Sequence, residues 1–180
     1  MFRPQPIRTQ KPSADARGFS LIELLIVVAI MLIVAAMAIP NLLRARIAAN
    51  ESSAASSVRK IATAEVAYNA AYPTVGYAQD LASLGGPPTG CVPTSTAACM
   101  LDSVVASGTK GGYLLNAAGF SGAGGLNESF VASSAPVSFN LTGVRNFCII
   151  SDGMLRSTTG TSGGVPAPDV GTCTAYGTAQ

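Results

Sequence analysis

Arg17-Gly18-Phe19-Ser20-Leu21-Ile22-Glu23, followed by an apolar run from Leu24 to Ile39, decides the fold, because it sets one carboxylate inside a segment of membrane length. A charge near the centre of a spanning helix costs on the order of 2.5–3.5 kcal/mol on insertion scales, so an acid there implies a function and a partner. A cut between Gly18 and Phe19 supplies the partner. The new α-amino group of Phe19 then lies one helical turn from Glu23, in the same chain or in a packed neighbour, and the two buried charges neutralise each other. Phe19 to Leu43 is long enough to cross a hydrocarbon core of about 30 Å.

Outward from this stretch, the distribution of glycine divides the chain. Apart from Gly18, none occurs before Gly76, and from there glycine is frequent. Phe19 to about Tyr72 therefore reads as one long helix, roughly 80 Å at 1.5 Å per residue, that Pro73 ends. Its second half, 44–72, carries Ala54, Val58, Ile61, Tyr68 and Tyr72 in a stripe suited to lie on a sheet, interrupted by Glu65. Pro40 removes one backbone hydrogen bond and crowds the carbonyl of Ala36, which predicts a kink or loosening there. Residues 73–112 are rich in Gly, Pro, Ser and Thr and read as an exposed connecting loop. Strands are expected at Gly112–Asn116, Phe130–Ala132, Val137–Leu141, Asn146–Ile150 and Met154–Thr158, with Asp152-Gly153 turning the last hairpin, and Gly160–Gln180 as a loop-like tail. The fold class is α+β, with one helix on a small antiparallel sheet.

The 180 residues leave room for one modest domain beyond the helix. Arg3, Arg8, Lys11 and Arg17 against Asp15 place the basic excess before the apolar run, which favours a cytoplasmic N-terminus and an exported remainder. Without residues 1–18 the body has seven Lys or Arg against eight Asp or Glu, so its charge gives no warrant for nucleic-acid binding. Cys91, Cys99, Cys148 and Cys173 suit an oxidising compartment. Of the three possible pairings, Cys91–Cys99 with Cys148–Cys173 is favoured, because each closes a local Gly/Pro-rich loop; the second loop contributes roughly 3 kcal/mol.

Chemistry is hard to place on this sequence. The chain has no histidine, and Gly160-Thr161-Ser162-Gly163-Gly164 fits a nucleophile pattern with no base to serve it. No Cys-x-x-Cys occurs, so zinc is disfavoured. Asp80, Asp102, Glu128, Asp152 and Asp169 stand singly and read as solvated surface charge. Arg44, Arg46, Glu51, Arg59 and Lys60 follow the apolar run, placed to pair with neighbouring copies or with water and lipid headgroups. Tyr68, Tyr72 and Tyr77 read as packing residues. No catalytic residue, metal, cofactor, specific nucleic acid or small-molecule substrate is expected.

The Gly-Phe junction, the Glu four residues beyond the Phe and the apolar helix together resemble the type IV pilin and pseudopilin family. The match is tight over Arg17–Leu43 and looser beyond, where helix, loop, antiparallel sheet and disulfide-bounded tail follow the pilin order. The resemblance implies a ladle-like fold with three parts: a cleaved leader (1–18), a transmembrane and assembly helix (19–43) and an exported head (44–180, its sheet and tail over 113–180). It implies cleavage after Gly18 and N-methylation of Phe19 by a membrane prepilin peptidase and methyltransferase, with Glu23 as the assembly carboxylate. It further implies an inner-membrane precursor held by lipid, then a homo-oligomeric helical filament at the cell surface, raised by an assembly platform and motor ATPases, for adhesion, motility or DNA uptake. Family helices can unwind near the position of Pro40, but this chain lacks a glycine between Phe19 and Pro40. The alternatives are a type II secretion pseudopilin, whose relatives often carry a calcium-binding acidic loop, and a soluble product released by signal-peptide cleavage after Ala38.

Overall fold

The computed structural model describes residues 19–178; Gly18, the remaining leader and the last two residues lie outside the described region. The chain divides into two compact units, Met1–Pro40 and Asn41–Gln180. Helix α1 (Leu21–Ala71) begins in the first and supplies the second with its C-terminal half. It has 51 residues with Pro40 inside it, and Tyr72 still donates its N–H to the Tyr68 carbonyl before Pro73 ends the pattern.

In the second unit, residues 41–71 of α1 pack with a six-stranded antiparallel meander. Its strands are β1 (Thr109–Lys110), β2 (Tyr113–Ser121), β3 (Asn127–Pro136), β4 (Arg145–Ile150), β5 (Arg156–Thr159) and β6 (Gly177–Thr178), hydrogen-bonded in that order. This is an α+β arrangement. The two-residue period of a strand explains the core. Tyr113, Leu115 and Ala117 of β2, with Phe147 and Ile149 of β4, join Ala54, Val58, Ile61 and Tyr68 of α1 in one cluster. The alternate residues Cys148 and Ile150 join Val131, Ala167 and Cys173 in a second cluster. Burial of each large apolar side chain contributes about 1.5–3 kcal/mol. The disulfides are Cys91–Cys99 and Cys148–Cys173, with Cα atoms 6.1 and 5.8 Å apart. The second ties α4 (Val170–Thr174) to β4.

Several sequence expectations need correction. Val137–Leu141 is a turn rather than a strand. Thr142 Oγ1 accepts the Ser138 N–H and donates to the Ser138 carbonyl, and the N–H groups of Leu141 and Thr142 also reach that carbonyl. Local bonds therefore satisfy this backbone in place of a ladder. β2 extends to Ser121, well past Asn116, through Ala117-Ala118-Gly119, residues of poor strand propensity. Gly119 is required where it stands, since a Cβ there would lie 2.4 Å from the Ala78 carbonyl oxygen. The 73–112 segment is not simply an exposed loop. It holds α2 (Leu81–Leu84) and α3 (Ser103–Ala106) and buries Ala78, Leu84, Ala98 and Val105. The tail contains α4 and β6, and β5 starts at Arg156, two residues later than Met154.

Of the scattered acids, Asp80, Asp102, Glu128 and Asp152 are exposed, and the aspartates have local roles as well. Asp80, Asp102 and Asp169 are N-caps, accepting N–H groups from Ser83, from Val104 and Val105, and from Thr172. Asp152 accepts the Met154 N–H and pairs with Arg156.

Candidate assembly site

Phe19 and Ser20 precede α1, and the Ser20 carbonyl accepts the N–H groups of Glu23 (3.1 Å) and Leu24 (3.2 Å), which starts the helix. Glu23 thus occupies the first turn, where unpaired N–H groups and the helix dipole favour a carboxylate. Phe19, Leu21, Ile22, Leu24 and Leu25 are all exposed. An 18-residue window of the helix has mean hydropathy 3.0, and none of it is buried among the described residues. Such a surface needs lipid or other apolar helices around it. Pro40 stands within the helix and has no N–H for the Ala36 carbonyl.

In the second unit the carboxylates of α1 turn inward. Glu51 is buried, and its Oε1 accepts the N–H groups of Val144 (2.9 Å) and Arg145 (3.1 Å) while Oε2 accepts from Arg145 Nε at 2.9 Å. The Arg145 guanidinium lies 5.3 Å from the Phe147 ring centre. Asn50 adds a bond from Nδ2 to the Thr142 carbonyl at 2.9 Å. Glu51 is therefore a clamp within one chain rather than a group kept for neighbours. Glu65 has no exposed surface; its Oε2 accepts the Ala78 N–H at 2.8 Å, and Oε1 has no partner. Burial pushes its carboxyl up to about 7, with Asp80 adding a like charge. Glu65 carried a sequence signal, an acid interrupting a stripe of apolar residues, but the backbone partners of both glutamates, Val144 and Arg145 at the start of β4 and Ala78, lie too far along the chain for periodicity to pair them.

Tyr68 and Tyr72 pack with ring centres 4.8 Å apart, and Tyr77 packs at the same distance on Phe130. Among the described residues, no group of three or more His, Cys, Asp or Glu is placed to hold a metal ion. Gly18 lies outside the described residues; Phe19 and Glu23 share the start of α1, and Pro40 is seventeen positions beyond Glu23.

The family model of the prokaryotic N-terminal methylation motif matches residues 14–39, the stretch that contains the Gly-Phe junction, Glu23 and the uncovered apolar helix. The chain carries a prepilin-type N-terminal methylation motif. The type IV wide pilus major component PilA4 of Thermus thermophilus is 63% identical over 38 residues, 21% of this chain and 29% of that protein. The chain thus spans under a third of the length of this curated pilin relative. No solved structure matches the chain. The pilin relationship rests on the N-terminal segment, and the helix-on-sheet layout of the second unit has a pilin-like order.

Proposed function

We propose that the chain is a structural subunit of a type IV pilus. Its leader, residues 1–18, is removed after Gly18; Phe19 is N-methylated; residues 19–43 anchor the precursor in the inner membrane with the N-terminus cytoplasmic; and 44–180 form the exported head. The observation that carries this reading is the apolar half of α1, exposed among the described residues, with one acid in its first turn. A lipid bilayer satisfies that surface in the monomer and a bundle of identical helices satisfies it in a filament, so extraction never exposes it to water. Glu23 sets the register, because a wrongly offset neighbour leaves a buried charge unpaired. Pro40 provides the point at which the helix bends or opens.

A prepilin peptidase and methyltransferase, an assembly platform and motor ATPases are the partners this reading requires. Two disulfides in the head suit an extracellular fibre used for adhesion, motility or DNA uptake. The test is the N-terminus of the protein from cells, read by fragmentation mass spectrometry, together with labelled surface fibres. N-methylated Phe19 in fibres is expected. A terminus at Ile39 overturns the reading, and methylated chains confined to the periplasm assign it to a secretion piston instead. Glu23→Gln is expected to insert normally and to enter filaments poorly.

A further inference from the structure

The polar ledger of the head leaves one acid without an internal role. Glu51 binds Arg145, Asp152 binds Arg156, Asp80, Asp102 and Asp169 cap helices, and Glu65 is buried on Ala78. Glu128, on β3 next to the β2–β3 turn, is exposed and makes no ion pair or hydrogen bond among the described residues. Its carboxylate lies across Gly122, where a Cβ would come within 2.0 Å of it, so the glycine makes room for it at the hairpin tip. Beside it Leu126 is 39% exposed, on a turn narrowed by Gly124 and Gly125.

The complementary surface is a cleft of about 570 Å³ between α1 and the chain before α3. Arg59 and Lys60 line it with Ala64, Ala67, Leu101 and Asp102. Arg59 and Lys60 are exposed and make no ion pair among the described residues, though Lys110 and Lys60 both lie near enough to Asp102 to favour its charged form. The Asp102 carboxylate is occupied by the N–H groups of Val104 and Val105. The cleft therefore carries a net positive charge, two cations against Asp102, around an apolar floor, and the hairpin tip offers an acid beside a leucine.

The two surfaces are also offset along the helix. Asn127 bridges to Gly76, so the hairpin tip lies beside the chain that leaves α1 after Tyr72, whereas the cations stand twelve positions earlier. At 1.5 Å per residue that is about 18 Å along the helix. Different patches displaced along an axis make a heterologous contact, the kind that propagates instead of closing.

We propose that the β2–β3 hairpin tip of one copy docks in the α1 cleft of an axially shifted second copy, Glu128 meeting Lys60 and Arg59 and Leu126 covering the apolar floor. This rests on the filament reading above. It assigns the head a lateral contact separate from the packing of the apolar helices.

Treatment of wild-type filaments with a water-soluble carbodiimide, which joins an amine directly to a contacting carboxylate, is expected to give dimers containing a Lys60–Glu128 amide, identified by peptide mass spectrometry and missing from detergent-dispersed monomers. Glu128→Lys alone, or Arg59→Glu with Lys60→Glu, is expected to lower surface filaments by about tenfold or more, and the three changes together to restore them. All these positions are exposed, and accumulation of disulfide-bonded precursor in the membrane checks that each variant folds. Wild-type filaments that give no such amide, with both reversals assembling normally, overturn the docking and leave the filament reading standing. Absence of wild-type filaments overturns both.

Discussion

Replacing Glu65 with Gln removes the one buried carboxyl of the head whose proton is held more tightly in the folded chain than in the unfolded one. Burial raises it from 4.5 to about 7, and the Ala78 N–H, which favours the charged form, only partly offsets this. Below pH 4.5 both states hold the proton and folding is unaffected. Between 4.5 and 7 the unfolded chain releases it while the folded chain keeps it, so folding takes up a proton and stability falls as pH rises, levelling off above the folded value. At 1.36 kcal/mol per unit the loss comes to about 3 kcal/mol. Asp102 and Asp152 are shifted downward from 3.8, so their contributions are lost only below that pH and leave the window clear. Gln keeps an oxygen for the Ala78 N–H but cannot ionise. Thermal melts of the full chain in detergent from pH 4.5 to 8 should show the variant gaining on the wild type by about 10 °C across the window. A difference between the two that stays constant over this range would refute the reasoning, and would mean that Glu65 ionises freely in the fold.

Other perturbations test the remaining contacts. Glu51→Ala leaves the N–H groups of Val144 and Arg145 without their acceptor and should cost about 2–4 kcal/mol, read as a lower denaturant midpoint; the half-exposed Arg145 head limits the share due to charge. Replacing both Cys148 and Cys173 with Ser frees a 25-residue separation and should cost about 3 kcal/mol, with Ala167 and the tail opening first to protease. Gly119→Val drives a side chain into the Ala78 carbonyl and the Asn127 amide, so loss of protease-resistant head is expected, whereas Gly124→Ala, with open space around it, should be silent.

The long helix was legible because composition alone carries it: no glycine interrupts it, and the stripe of Ala54, Val58, Ile61 and Tyr68 repeats at helical spacing. β4 was legible for the same reason, as a dense apolar run between turn residues. Val137–Leu141 has an equally strand-like composition, but Asn140 in the left-handed region (φ 63°) and the Thr142 hydroxyl turn the chain back on itself. Propensity cannot outweigh hydrogen bonds that a segment makes within four residues. The short helices α2, α3 and α4 each begin at an Asp followed by apolar or small residues, a capping signal weak enough to read as surface charge until the amide partners are placed. At the candidate site, Phe19, Glu23 and the uncovered helix could be read directly. Glu51 and Glu65 could not, because their roles depend on Val144, Arg145 and Ala78, more than ten and as many as ninety-four residues away.

These assignments divide the chain's interactions into two sets. The head closes its own core, fixes its helix through Glu51, and uses nearly all its carboxylates internally. The apolar half of α1 is exposed among the described residues, and the head's exposed charges without an ion pair there include Arg59 and Lys60 at one height and Glu128, beside Leu126, at another. Apolar packing between helices is strong but tolerant of sliding, because it is non-directional and scales with buried area. A contact between fixed charges tolerates much less displacement. In the filament proposed above, cohesion would come from residues 19–43 and the axial step from Glu23 together with the proposed head contact. It follows that neutralising Glu128 should loosen the step and the filament's salt resistance while leaving membrane retention of the precursor untouched, whereas polar substitutions within Leu24–Ile39 should release the precursor from the membrane before any filament forms.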